Sequence, residues 1–158
     1  MAYGIRPYCD EDAEAVAAVC SAAIEAIGPR AYSAEQVAAW RARHPGPQRY
    51  RDVVANGAQI VVAADENNRP VAYALLERNG HLDHLYCHPD HTRRGLADLL
   101  LAEAEVMARE WGVQRLYTEA SDLARPAFER TGYSVTHKRE FAIDGVPIHN
   151  WAMEKTLT

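Results

Sequence analysis

Thr92-Arg93-Arg94-Gly95-Leu96-Ala97 is the run whose residue types point most directly to chemistry. It follows a β-type stretch, Leu85-Tyr86-Cys87, that stops at Pro89, and it precedes Asp98-Leu99-Leu100-Leu101, the opening of a long helix. Backbone N–H groups and the positive end of a helix dipole then converge on one spot with two arginines beside it, a spot that binds phosphate or pyrophosphate. Gly95 lets the main chain approach such a group without a Cβ in the way. Short glycine motifs also match by chance, and the plain alternative is a strand-loop-helix connection with solvated Arg93 and Arg94.

His81, His84, Cys87, His88 and His91 crowd the same stretch. Strand alternation places His81, Asp83 and Cys87 on one face and His84 and His88 on the other. With no HxxxH on a helix and no CxxC, no metal site is expected. Cys87 reads as a small buried hydrophobe rather than an acyl-carrying nucleophile. No GxSxG, Walker loop or Rossmann GxGxxG is present.

A frame must position these residues. A chain of 158 residues suits one compact domain. Its net charge of −5 argues against nucleic acid as the partner and mildly favours cationic small molecules. Three widely spaced cysteines, Cys9, Cys20 and Cys87, form no disulfide framework, which favours a reducing, cytoplasmic setting. No apolar run approaches the roughly 20 residues of a membrane span, so no membrane partner is expected, and a homodimer is left open. Residues 2–6 read as a strand ending at Pro7. Asp10 caps a helix from Glu11 to Ile27, stopped by Gly28-Pro29. Ser33 and Gln36 form a capping box for a second helix carrying Val37 and Trp40. His44-Pro45-Gly46-Pro47 is a loop. Strands follow over 59–64, 70–78 and 81–88, the last two joined at Asn79-Gly80. The helix from Gly95 to Trp111 carries a stripe of Leu96, Leu100, Ala104, Met107 and Trp111, widened by Leu99 and Val106. A strand over 113–120, a short helix over 123–130 and a hairpin across Asp144-Gly145 complete the chain. The order β-α-α-β-β-β-α-β-α-β-β predicts an α+β fold with a mixed, mainly antiparallel central sheet flanked by helices.

This order, with the Arg-Arg-Gly-Leu-Ala loop, resembles the Gcn5-related N-acetyltransferase (GNAT) superfamily, whose loop reads Gln/Arg-x-x-Gly-x-Gly/Ala. Thr92 departs at the first position; Gly95 and Ala97 match. A second block, Glu119 to Tyr133, is similar to the family's Asn-(x)n-Ala-(x)n-Tyr-Glu-x-x-Gly-Phe block, with Ser121 where Asn is usual and Phe128 where Tyr is usual. The resemblance covers nearly the whole chain and implies a single N-acetyltransferase domain over 1–158. It implies acetyl-CoA as co-substrate and a small-molecule or peptide amine as acceptor. Leu85, Tyr86 and Cys87 match the strand that splays, usually at a β-bulge, to hold the pantetheine arm. Arg93, Arg94, Gly95, Leu96, Ala97 and Asp98 match the pyrophosphate loop, with the Asp98 carboxylate turned away. Ser121 takes over a polar contact from the usual Asn.

The implied chemistry is attack of an amine on the thioester carbonyl through a tetrahedral intermediate, with N–H donors of the splayed strand holding the oxyanion. A lysine-like amine of pKa about 10.4 costs roughly 4.6 kcal/mol to deprotonate at pH 7, so a general base is wanted. Asp83 and His84 are the candidates; being adjacent, they face opposite sides, and only one can meet the acetyl group. Phe128 cannot protonate the leaving thiolate as the family's tyrosine does, which leaves Tyr133, Ser121 or water. In this fold the acceptor lies between the first helices and the last hairpin, near Tyr32, Trp40, His149 and Asn150. A non-catalytic acyl-CoA-binding or regulatory module is the alternative.

Overall fold

The computed structural model describes residues 2–44 and 46–158; Pro45, within the expected loop, lies outside the described residues. Strand β1 (Gly4–Pro7) passes through a 3₁₀ turn at Asp10–Asp12 into α1 (Ala13–Ile27). That turn delays the helix beyond the expected Glu11. Asp12, not Asp10, organises it, accepting from both terminal guanidinium nitrogens of Arg6 at 2.8 and 2.9 Å and from the Cys9 N–H at 2.9 Å. Helix α2 (Ala34–Ala42) opens on the expected capping box: Gln36 N donates to Ser33 Oγ at 3.1 Å and Ser33 N to Gln36 Oε1 at 2.9 Å. A further helix, α3 (Gln48–Ala55), was not expected. Its signal is Tyr50, Val53 and Val54 at helical spacing in an otherwise polar segment.

Strands β2 (Gln59–Ala64), β3 (Pro70–Leu76) and β4 (Leu82–Cys87) join β1 in an antiparallel sheet of order β1-β2-β3-β4. β3 is buried at every position because helices cover both faces, which explains its unbroken apolar run. One face packs Val61, Ala72, Ala74 and Leu76 on α4 (Leu96–Glu110); the other packs Ile60, Val62, Tyr73 and Leu75 on α1. The stripe of α4 includes Leu96, Leu100, Ala104 and Met107, but Leu101 and Ala108 widen it. Leu99 and Val106, expected there, are 51% and 47% exposed. At about 100° per residue they fall on the opposite flank from Leu101 and Ala108.

The remaining strands, β5 (Arg115–Ala120), β6 (Ser134–Ile143) and β7 (Val146–Thr156), form a second antiparallel sheet of order β5-β7-β6, with α5 (Arg125–Arg130) between β5 and β6. The mainly antiparallel strands expected thus fall into two sheets. They touch through a parallel bridge between His81 and Tyr117, a Tyr117 N–H to Gly80 O bond of 3.1 Å, and a buried Thr118 Oγ1 to Leu82 O bond of 2.7 Å. Gly80 sits at this seam with φ +97°, and a Cβ there would lie 2.3 Å from the Arg115 carbonyl oxygen. Beyond Leu82, β4 and β5 diverge and leave a wedge.

Candidate active site

The wedge begins at a β-bulge. β3 pairs Leu75 with His84 and then Leu76 with Leu82, so Asp83 is the extra residue. Leu82, Leu85 and Cys87 therefore contribute to the core on α4, while Tyr86 packs against the core on α1 and His84 sits among Tyr50, Tyr73 and Tyr86 on that side. Main-chain polarity follows from the register. His88 N donates to Val71 O at 2.8 Å, and antiparallel alternation gives Tyr86 and His84 the next groups bonded to β3. The N–H and C=O groups of Leu85 and Cys87 then face the wedge. Of the three strand residues expected to hold a pantetheine arm, Leu85 and Cys87 present main-chain groups and Tyr86 presents a wall.

Two cavities meet in the wedge, sharing Trp40, Leu85, Tyr86, Ser121 and Ala124. The first, about 160 Å³, is apolar and runs past Cys87, Ala97 and Leu100 toward the start of α4. There the chain turns through two left-handed residues, Arg93 at φ 61° and Gly95 at φ 76°. Such alternation aims successive N–H groups into one concavity, and the positive end of α4 adds to it. Arg93 and Arg94 are exposed beside the loop. Leu96 is buried in the core, so only its N–H is available to a ligand. The Asp98 carboxylate accepts from Arg130 Nη2 at 3.0 Å and is turned to α5. Cys87 packs as a partly buried thiol, its Sγ 3.4 Å from His91 O, with burial pushing its pKa up to about 11. That disfavours the thiolate a nucleophile needs.

The second cavity, about 100 Å³, carries the polar groups. Asp83, Glu119, Ser121, His149 and Asn150 line it, with Tyr32, Trp40 and Phe128 among its aromatic walls. Burial raises the Asp83 carboxyl, with Glu77 adding to the effect and His81 opposing it. His81 lies between two carboxylates, Nδ1 at 2.6 Å from Glu77 Oε1 and Nε2 at 2.8 Å from Glu119 Oε1. Burial works to lower its pKa, but the bonds to Glu119 and Glu77 outweigh this and lift it to about 9. The same bond holds the Glu119 carboxyl below its ordinary value. Ser121 Oγ accepts from Ala124 N at 3.1 Å, which leaves its hydroxyl hydrogen free to point elsewhere. Tyr32 spans α2 and the last hairpin: its OH donates to His149 O at 3.1 Å and accepts from Asp122 N at 3.0 Å. Asp122 also takes His149 Nε2 at 2.9 Å and Trp151 Nε1 at 2.6 Å, fixing that wall. Asn150 Oδ1 is held by Arg139 at 3.0 Å.

Two expected catalytic residues sit elsewhere. His84 is 2% exposed on the α1 side, its Nδ1 at 2.8 Å from Tyr73 OH, and burial drives its pKa well below the ordinary value. The bulge at Asp83 turns it away from the second cavity. Tyr133 packs edge-on against Phe128 with ring centroids 5.0 Å apart, and lines a separate cavity with Leu101, Glu105 and Lys155. Burial raises its hydroxyl further, and the position does not reach the wedge. Glu77 and His81 flank the β3–β4 turn while Glu119 lies on β5, so the cluster is completed only when the two sheets meet. The proximity of His81 to the Asn79-Gly80 turn and of Glu119 to the second motif was the available signal.

The sequence of residues 29–157 matches a family model described as an acetyltransferase (GNAT) domain. The chain belongs to the GNAT family. It is 31% identical to a GCN5-related N-acetyltransferase of Rhodopseudomonas palustris, whose structure superposes with a TM-score of 0.90 over 99% of this chain and 97% of that one. It is 29% identical over 149 residues to the uncharacterized N-acetyltransferase YafP of Escherichia coli, covering 94% of this chain and 93% of YafP. The PaiA N-acetyltransferase of Thermoplasma acidophilum, solved in complex with coenzyme A, shares the GNAT fold at TM-score 0.79 with 18% identity, over 99% of this chain and 100% of that one. This GNAT is thus an N-acetyltransferase with an α+β fold of antiparallel sheets and helices. Among the described residues no helix is long and apolar enough to cross a membrane.

Proposed function

We propose that this protein moves the acetyl group of acetyl-CoA to a small primary amine by direct attack through a tetrahedral intermediate. The single observation that carries the reading is the junction of the two cavities at Leu85, Tyr86 and Ser121. One cavity fits a narrow, mainly apolar arm leading to an anion cradle; the other offers carboxylates to an amine. In this reading the pyrophosphate rests on the N–H groups from Arg93 to Asp98, with Arg93 and Arg94 adding charge. The pantetheine arm pairs with the main-chain groups of Leu85 and Cys87 like an added strand, and a strand N–H holds the oxyanion.

Asp83 takes the ammonium and then accepts its proton, because it lines the acceptor cavity and stands at the bulge where the strands part. Glu119 sits in the same wall but is already engaged by His81, which makes it an electrostatic partner rather than the base. The Ser121 hydroxyl donates to the departing sulfur. A thiol of pKa about 8.5 leaves reasonably well as thiolate, so a hydrogen bond there suffices without the tyrosine replaced by Phe128. Tyr32, Trp40 and Phe128 favour an acceptor with an apolar or aromatic body, and Asp83 favours one that arrives cationic. The three free cysteines suit a reducing, cytoplasmic setting.

Thiol release from acetyl-CoA against a panel of amines tests this. Turnover highest with small cationic amines bearing an apolar or aromatic body supports it. Tight binding of acetyl-CoA with no turnover across the panel would replace it with the acyl-CoA-binding module.

A further inference from the structure

We propose that Cys20, His44 and His84 form a buried site for one zinc-class divalent cation, held by a thiolate and two imidazoles. The three come from α1, from the segment after α2 and from β4, and one donor atom of each lies within 4.8 Å of the other two. Tetrahedral zinc with bonds of about 2.0 to 2.3 Å needs donors roughly 3.3 to 3.8 Å apart, so a movement of about an ångström by the His44 segment closes the set.

The second observation is a polar atom with nothing to bond. His84 is 2% exposed, and its Nε2 has no hydrogen-bond partner among the described residues. A buried orphan of this kind costs about 1–3 kcal/mol. The other ring nitrogen is engaged by Tyr73 OH at 2.8 Å, and that hydroxyl lies 2.6 Å from Tyr50 OH. With the proton on Nδ1, donated to Tyr73 OH, Nε2 offers a lone pair from a ring held in place, the arrangement that outer-sphere partners impose on metal-binding histidines. His44 Nδ1 is likewise buried and without a partner among the described residues, and the two rings meet edge-on with centroids 4.9 Å apart.

Cys20 is 0% exposed and supplies the only charge of the set. On binding, its S–H bond breaks, an S–metal bond forms and one proton leaves to solvent. Arg49 opposes a cation here, but its guanidinium is anchored on Arg43 O at 2.8 Å. The fourth position falls to water; Asp83 Oδ2 stands 3.6 Å from His84 Nε2. A thiolate with two imidazoles suits zinc over magnesium or calcium.

Cobalt titration of reduced, tag-free protein, stripped with a chelator and free of acetyl donor, tests the site. One equivalent is expected, with a thiolate-to-cobalt charge-transfer band and the visible absorption of four-coordinate cobalt, both erased by zinc. Cys20→Ser should abolish the band, and His44→Gln should weaken uptake at least tenfold. His81→Gln, in the neighbouring Glu77–His81–Asp83 group, should change neither. Circular dichroism establishes that each variant is folded; should Cys20→Ser fail to fold, His44→Gln decides. Folded wild-type protein without one-equivalent uptake overturns the proposal, as does a band that survives Cys20→Ser or uptake undiminished in His44→Gln.

Discussion

Asp83, the proposed base, stands where the strands separate, and its side chain lines the second cavity. Asp83→Asn keeps the size and removes the proton acceptor. Its kcat should fall by about 10²–10⁴, while the dissociation constant for coenzyme A, read by calorimetry, stays within about twofold. Ser121→Ala removes one donor at the junction and should lower kcat by roughly tenfold, the worth of about one hydrogen bond. A variant with wild-type kcat would leave sulfur departure to water. His81 belongs to stability as well as to the site. Its folded pKa of about 9 lies above the unfolded value of 6.5, so the clamp on Glu77 and Glu119 contributes fully below about pH 6.5 and is lost as pH rises through about 9. The shift corresponds to about 3 kcal/mol at most, and solvent at Glu77, 44% exposed, reduces it. Urea midpoints at pH 6 and pH 10 should therefore converge in His81→Gln relative to wild type.

At the scale of the element, two glycines carry different loads. A Cβ at Gly95 would meet nothing within 4 Å, so its requirement is the left-handed φ of 76° and the open approach to the loop N–H groups. Gly95→Glu adds a like charge to the proposed anion site. Coenzyme A affinity should drop by more than 100-fold, with thermal stability lowered only by the roughly 1–2 kcal/mol of a left-handed non-glycine residue. Gly80 differs because the Arg115 carbonyl stands 2.3 Å from where a Cβ would be. Gly80→Ala must separate β4 from β5 at their contact, and should cost more than about 3 kcal/mol in chemical denaturation. Comparable stability in the two variants would contradict this division of roles.

The whole molecule is two sheets joined at a short seam, and its ligand would span the opening between them. Coenzyme A that binds only the folded chain should add about 2.7 kcal/mol at a concentration of 100 dissociation constants. The added hydrogen-exchange protection should concentrate at the Leu85 and Cys87 amides and at residues 93–98; protection spread evenly would argue against an added-strand mode. Features set by neighbours along the chain were legible from the residues alone. Ser33 and Gln36 cap α2, Asn79-Gly80 turns β3 into β4, Asp144-Gly145 turns β6 into β7 at φ 48° and 81°, and Gly95 opens α4, because each depends on the preferences of a few consecutive residues. Folding of the distant parts decided the remainder. Alternation alone does not locate the insertion at Asp83, and that insertion sends Leu82 and His84 to opposite faces. Helical periodicity supplies a stripe but not its centre, so Leu101 rather than Leu99 meets the sheet. Tyr133 and Phe128 sit close in the chain yet open on different cavities, and Cys20, His44 and His84 meet only when α1, the segment after α2 and β4 pack together. Local preference acts over a turn or two of chain, whereas a site is made of groups whose separation in space is set by packing across the core.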